Sequence, residues 1–374
     1  MLQRLSIKQL VLAILILVAV TRLPAVAHPR ALSDEAYYAV VANEMLHGGL
    51  PYRDAVDRKP PLLYGIFWAV FRVAGYPNWP AVHLAAVGWT LATMVVLFLL
   101  GRLLFTPLAG VIAALLYGAF QPYLTITNLA FNGEMMMNLP IVAAMAVALR
   151  PGRRPLGLDP LVAGGLVAIA FLLKQPAGVV LMPLTVYCLH PAYRGSRSYG
   201  MGTAWLHASL VSAGFALVLA ATAIVLSHLG ILREAWYWTV QNHDLPHGPF
   251  DPVFWEFAAR GSWWFGLFCG PLLVGSWVSL RHSRERWRAR EAERDALIVF
   301  LLASLVGTAA SGRWFTHYYL QLLPPLALLA APALAESWRS SGPTPPARHL
   351  RRLTLGWTVL SVLVSFVIGL YSGL

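Results

Sequence analysis

Acids, bases and tyrosines crowd into one short stretch of an otherwise oily chain. The stretch reads Asp34-Glu35-Ala36-Tyr37-Tyr38, then Gly48-Gly49-Leu50-Pro51-Tyr52-Arg53-Asp54, then Asp57-Arg58-Lys59-Pro60-Pro61-Leu62. A carboxylate here can take a proton from a hydroxyl, and a lysine or arginine can neutralise a phosphate. Ionisable groups beside a membrane are costly and mark sites. Plainer roles exist for each. Asp34 and Glu35 also suit the first turn of a helix, where acids complement the macrodipole. Lys59 also suits snorkelling to a membrane interface. Pro60 and Pro61 fix the backbone beside Lys59 and so aim it.

Three further groups lie far from this stretch. Glu134 follows Asn132-Gly133 at the start of an apolar run, as a site acid or a helix N-terminal acid. Lys174 in Lys174-Gln175-Pro176 stands at another junction, as a phosphate contact or a snorkelling lysine. The segment Gly312-Arg313-Trp314-Phe315-Thr316-His317-Tyr318 crowds four polar groups into a junction that needs only one anchor. Arg313 is suited to bidentate phosphate contact, with His317 and Tyr318 beside it; an interfacial aromatic belt is the alternative. His243, Asp244, His247 and Asp251 suggest a metal faintly, because proline and glycine interrupt their spacing. No metal is assigned. Trp236, Tyr237, Trp238, Trp255, Trp263 and Trp264 around them suit a membrane interface. Cys188 and Cys269, the two cysteines, sit in separate apolar runs as buried thiols.

The elements that must hold these groups are membrane helices. Of 374 residues 58% are hydrophobic and 12% charged, about half the charge of a soluble domain. The net charge of +12 gathers in short loops, as cytoplasmic loops require, and no nucleic-acid module accompanies it. Apolar runs predict about eleven transmembrane helices: 9–26, 81–100, 107–120, 135–149, 161–173, 178–189, 204–226, 262–280, 296–310, 318–334 and 353–371. Alternation from a cytoplasmic N-terminus puts the arginine-rich loops near 150–154, 194–197, 281–294 and 339–352 inside. It puts 28–80, 121–134, 174–175, 229–261 and 312–317 outside, so every candidate group falls on one face. Ala25-Val26-Ala27 resembles a signal-peptidase site, yet a retained first helix fits the charged loop and spans that follow. Within 28–80, the segment 34–47 reads as a surface helix capped by Ser33 and ended by Gly48-Gly49, its apolar stripe being Tyr37, Val40, Val41 and Met45. Leu62 to Val73 reads as a second interfacial helix. The prediction is one all-α polytopic domain over 1–374, its chemistry on the 28–80 outer loop, with no soluble C-terminal domain.

The pattern Asp-Glu-x-x-Tyr, then Gly-Gly-Leu-Pro-Tyr-Arg-Asp, then Asp-x-Lys-Pro-Pro-Leu resembles the first outer loop of GT-C glycosyltransferases. The resemblance is to the bacterial branch related to protein O-mannosyltransferases and lipid A aminoarabinose or galacturonic acid transferases. It implies a polyprenyl-phosphate sugar donor and transfer outside the cytoplasm, with the chain in a bacterial inner membrane. It implies Asp34 as catalytic base, Glu35 as its companion, and Lys59 with Arg58 as donor-phosphate contacts. Glu134 resembles the family's second outer-loop acid, Lys174 a family lysine, and the Arg313–Tyr318 segment a late outer-face motif. Larger members carry more spans or a soluble outer domain that helps bind acceptor, so the resemblance leaves open a lipid, glycan or protein acceptor and a partner subunit. No cofactor is implied, a divalent metal included. No glycine-rich phosphate loop argues for a nucleotide-sugar donor. The rival classes are a flippase of lipid-linked sugars, which needs charges along a path, and a non-catalytic assembly subunit, which needs no loop acids.

Overall fold

The computed structural model describes residues 6–27, 34–123, 129–150, 157–196, 200–242, 248–282, 287–338 and 345–371. Ser33, His243, Asp244 and His247 lie outside them. Sixteen α-helices are described: α1 (Ile7–Val20), α2 (Leu23–Ala27), α3 (Glu35–Leu46), α4 (Pro61–Ala74), α5 (Trp79–Leu104), α6 (Pro107–Phe120), α7 (Gly133–Ala148), α8 (Asp159–Phe171), α9 (Leu181–Leu189), α10 (Pro191–Ser196), α11 (Met201–His228), α12 (Leu232–Trp236), α13 (Pro252–His282), α14 (Glu291–Ala309), α15 (Leu323–Trp338) and α16 (Pro345–Tyr371). Among the described residues there is no strand, only a single bridge between Pro51 and Ala55.

Four helical stretches are long and apolar enough to cross a membrane: α5, α11, α13, and α15 with the 3₁₀ turn that leads into it. Shorter apolar helices accompany them, as happens where spans tilt or break. Local chemistry sets their starts. Asn78, Thr106 and Asn132 cap α5, α6 and α7 by accepting from the backbone N–H groups of Ala81, Ala109 and Met135. Prolines occupy the first turns of α4, α5, α6 and α8, where no N–H partner is lost.

Packing follows side-chain size. Helix α15 is nearly all buried, and α11 is nearly all peripheral. Helices α8 and α11 touch through glycines: a Cβ on Gly164 would strike the Val211 carbonyl, and one on Gly214 the Leu161 carbonyl. Backbones meet this closely in membranes where there is no side chain to intervene.

One expectation needs correction. The first apolar run is not one helix but breaks at Thr21-Arg22 between α1 and α2. Arg22 is buried, and its guanidinium donates to the Val18 and Gly118 carbonyls and to Gln121 Oε1. An arginine in an apolar setting must collect such acceptors. On helix α3 the apolar stripe read from the sequence is divided between surface and interior. Val41 is buried but Tyr37 and Val40 are exposed, and Glu35, Tyr38, Ala39 and Ala42 face inward instead. Tyr38 decides the rotation, stacking edge-on against Phe67 and Tyr64 of α4.

The helix ends assigned to one face by charge meet around one cavity. Those assigned to the other meet elsewhere, at His190–Asp295 and Phe105–Trp287. An impermeant maleimide should therefore label Asp54→Cys in intact cells and Arg288→Cys only after permeabilisation. Labelling of Arg288→Cys in intact cells would overturn the topology.

Candidate active site

The loop from Leu50 to Pro60 is wound to present Lys59. Leu50 N–H donates to the Asp54 carboxylate at 2.7 Å. Tyr52 adopts φ 69°, a costly conformation for a side chain of its size. Its buried phenol donates to the Lys59 carbonyl at 2.7 Å, and the Lys59 N–H donates to the Tyr64 hydroxyl at 3.0 Å. Two buried tyrosines thus hold both sides of one lysine's backbone. The Gly-Leu-Pro-Tyr-Arg-Asp and Lys-Pro-Pro patterns serve this single purpose.

Lys59 Nζ lies 3.3 Å from Asp34 Oδ2. The Tyr38 hydroxyl, one helical turn on, donates to the same oxygen at 3.2 Å. Burial, with Asp34 adjacent, pushes the Tyr38 phenol well above its ordinary pKa, so it stays a neutral donor. Both contacts fall on Oδ2. Asp34 Oδ1 has no hydrogen-bond partner among the described residues and is open to a hydroxyl.

Across the cavity, Glu134 begins α7 and Lys174 follows α8. Their charges meet at 2.7 Å, both largely buried. A Cβ on Gly133 would press on the Leu173 carbonyl and the Lys174 side chain, so a glycine must precede Glu134 for the lysine to lie against α7. His317 Nε2 approaches the same Glu134 oxygen at 3.8 Å. Lys174 Nζ also sits over the Tyr318 ring, 5.2 Å from its centre, a cation–π contact. The turn carrying His317 and Tyr318 is fixed from behind. Gln321 donates to the Ser304 carbonyl and Thr308 Oγ1, and the Tyr123 hydroxyl donates to the Thr316 carbonyl. Gly312 and Trp314, both with positive φ, flank Arg313.

These groups line one cavity of about 730 Å³. Of the residues singled out in the sequence, it brings together Asp34, Arg58, Lys59, Glu134, Lys174, Arg313, His317 and Tyr318. Glu35 is not among its lining residues. It is fully buried behind the cavity, where its carboxylate accepts from the Phe131 N–H at 2.6 Å and meets His83 Nε2 at 3.3 Å. Successive helical side chains diverge by about 100°, and here Asp34 faces the cavity while Glu35 turns to Phe131 and His83. The structure thus sets Glu35, read from the sequence as the companion of Asp34, apart from the cavity. Tyr37, Asp57, Gln175 and Gln321 line the cavity too. Sequence reasoning gave Asp57, Gln175 and Gln321 no role and placed Tyr37 only in an apolar stripe. His83 carried no signal at all, a lone histidine in an apolar run. Among the described residues no group of three His, Cys, Asp or Glu side chains is placed to hold a metal.

The lining carries carboxylates Asp34, Asp57 and Glu134 against cations Arg58, Lys59, Lys174 and Arg313. Lys59 and Lys174 are each engaged by an acid. Arg313 is exposed to the cavity with no ion-pair partner among the described residues. The cavity therefore suits an anion, and a carboxylate with a free lone pair faces the same space.

Known proteins agree with this architecture. Residues 58–228 match the family model described as dolichyl-phosphate-mannose-protein mannosyltransferase; the match starts at Arg58, so Asp34 and Glu35 precede it. ArnT from Cupriavidus metallidurans in the apo state is 15% identical with a TM-score of 0.67, over 98% of this chain and 76% of that one. The same protein bound to undecaprenyl phosphate is 14% identical with a TM-score of 0.58, over 98% and 76%. The oligosaccharyltransferase AglB from Archaeoglobus fulgidus, in complex with an inhibitory peptide and a dolichol-phosphate, is 13% identical with a TM-score of 0.58, over 98% and 56%. No curated protein matches in sequence. The chain has the GT-C fold, that of an all-α, polytopic integral membrane protein.

The Glu134–Lys174 pair yields a stability prediction. Removing one partner of a buried pair costs about 3–5 kcal/mol, because the other charge is left uncompensated. Lys174→Met should lower the thermal midpoint clearly, and adding Glu134→Gln should restore most of the loss. A single variant as stable as the parent would show that the pair is solvated.

Proposed function

We propose that the chain is an inverting glycosyltransferase that uses a polyprenyl-phosphate sugar and acts on the extracytoplasmic face of a bacterial inner membrane. One observation carries the reading: a carboxylate with a free oxygen, Asp34, shares a cavity with cations suited to a phosphate. The fold and the family match support the transferase class. The solved relatives that hold undecaprenyl phosphate and dolichol-phosphate support the donor type.

The chemistry follows from the groups present. The lipid phosphate sits between Arg313 and Lys59, with Arg58 at the rim. Arg313 engages it first, having no acid partner among the described residues. Lys59 is shared with Asp34 and turns to the phosphate as charge builds on it. Asp34 Oδ1 accepts the proton of the acceptor hydroxyl. The hydroxyl oxygen attacks the anomeric carbon from the face opposite the phosphate. The bond from that carbon to the phosphate oxygen breaks, and the electron pair leaves on the phosphate, which the cations stabilise. No enzyme nucleophile is needed, and the configuration inverts. Glu134, Lys174, His317 and Tyr318 form the wall that receives the sugar hydroxyls. The acceptor is a lipid, glycan or protein bearing a hydroxyl.

The test uses the purified full chain in proteoliposomes with undecaprenyl-phosphate hexoses and pentoses, reading release of undecaprenyl phosphate. Asp34→Asn should cut turnover by about 10²–10⁴-fold, the usual worth of a general base, while binding of undecaprenyl phosphate persists. Arg313→Ala and Lys59→Ala should each weaken that binding about tenfold to a hundredfold, the loss of one charge-assisted contact. Near-normal turnover in Asp34→Asn would remove it from the base role.

A further inference from the structure

The cavity holds two acids on segments far apart in the chain, and one buried group joins them. Glu35 follows Asp34 directly. Its Oε1 accepts the Phe131 N–H at 2.6 Å, across 96 residues of sequence. Phe131 leads into Asn132, whose side chain caps α7 at Met135, and Glu134 lies in that first turn. Its Oε2 meets His83 Nε2 at 3.3 Å, and His83 Nδ1 lies 2.6 Å from the Ala25 carbonyl. The carboxylate thus ties α3 to α5, to α2 and to the entry of α7.

The protons of this chain of contacts can be assigned. A carbonyl only accepts, so His83 Nδ1 carries a hydrogen. Nε2 then faces a carboxylate oxygen, which also accepts. A neutral imidazole and an ionised carboxylate would set two lone pairs against each other. One proton must lie between Nε2 and Oε2, on the histidine or on the acid. Either way the pair is a charge-assisted or acid hydrogen bond with both residues buried.

We propose that Glu35 is a positioning residue: through Phe131 and His83 it fixes the separation of Asp34 and Glu134 across the cavity. The proposal rests on the transferase reading for its effect on turnover, but the link itself does not. A misplacement of about 1 Å far from the reacting atoms costs about 10²-fold in rate, so the link matters even though Glu35 touches no substrate.

The chemistry of the link separates positioning from catalysis. In Glu35→Gln the amide oxygen still accepts from Phe131, and the amide NH₂ donates to the lone pair of a neutral His83 Nε2. The link survives without the titratable proton shared between the acid and the histidine. In Glu35→Ala it is gone.

The experiment measures hydrogen exchange of the 129–136 peptide in the purified full chain, undecaprenyl phosphate binding, and turnover with undecaprenyl-phosphate sugars. Glu35→Ala should exchange this peptide at least tenfold faster and lose about 10²-fold in kcat, with undecaprenyl phosphate affinity within threefold of the parent. Glu35→Gln should keep parental exchange and kcat within about threefold. Should Glu35→Ala not be recovered folded, Glu35→Asp, too short to reach both partners, replaces it with the same expected losses. Two results would overturn the proposal: parental exchange in the Ala or Asp variant, or loss of turnover in Glu35→Gln as complete as in Asp34→Asn. If the parent turns over none of the sugars, the transferase reading fails, and the exchange measurement still decides the link.

Discussion

An ionised carboxylate can be held at the edge of a bilayer only if something answers its charge, and the site follows from that requirement. Asp34 is answered by Lys59 at 3.3 Å and by Tyr38, and Glu134 by Lys174 at 2.7 Å. Each pairing recruits further structure. Lys59 needs Tyr52 and Tyr64 to fix its backbone, and those rings need α3 and α4 to bury them. Lys174 needs a glycine at 133 and the Tyr318 ring above it. The first outer loop mounts Asp34 with its lysine, and the start of α7 mounts Glu134. The surplus cation, Arg313, then gives the cavity its taste for an anion.

The same requirement explains the buried polar groups that face no cavity. Arg22 breaks the first apolar run because its guanidinium must find acceptors, and it finds them on α1, α6 and Gln121. Glu35 and His83 satisfy each other and bind the Phe131 amide and the Ala25 carbonyl. These contacts join segments that glycine-mediated packing alone, as between α8 and α11, would leave free to slide.

Much of the fold could be read from sequence because bilayer thickness and the arginine bias constrain it strongly. Most expected spans fall on helices, and segments 34–59, 134–137, 174–179 and 307–321 gather around one cavity. The fine structure could not be read that way. Hydropathy treats Arg22 as an interruption too small to notice. The rotation of α3 depends on Tyr38 packing against Phe67, a contact between helices that periodicity within α3 cannot reveal. Asp34 and Lys59 were each legible as a candidate because of the motif around them, but their pairing was not, since 25 residues separate them. Which of Asp34 and Glu35 turns from the cavity is set by His83 and Phe131, 48 and 96 residues from Glu35, contacts that local sequence does not show. Tyr52 was visible as part of a motif but not as the prop of a lysine seven residues on.

The central claim is that Asp34 and Lys59 form a pair that a lipid phosphate opens. A structure of the full chain with undecaprenyl phosphate bound tests it most directly. The account predicts the phosphate between Arg313 and Lys59, with the lysine drawn off Asp34 Oδ2 and Asp34 Oδ1 still facing the cavity. A phosphate seated outside this cavity, with the 3.3 Å contact between Lys59 and Asp34 unchanged, would contradict it.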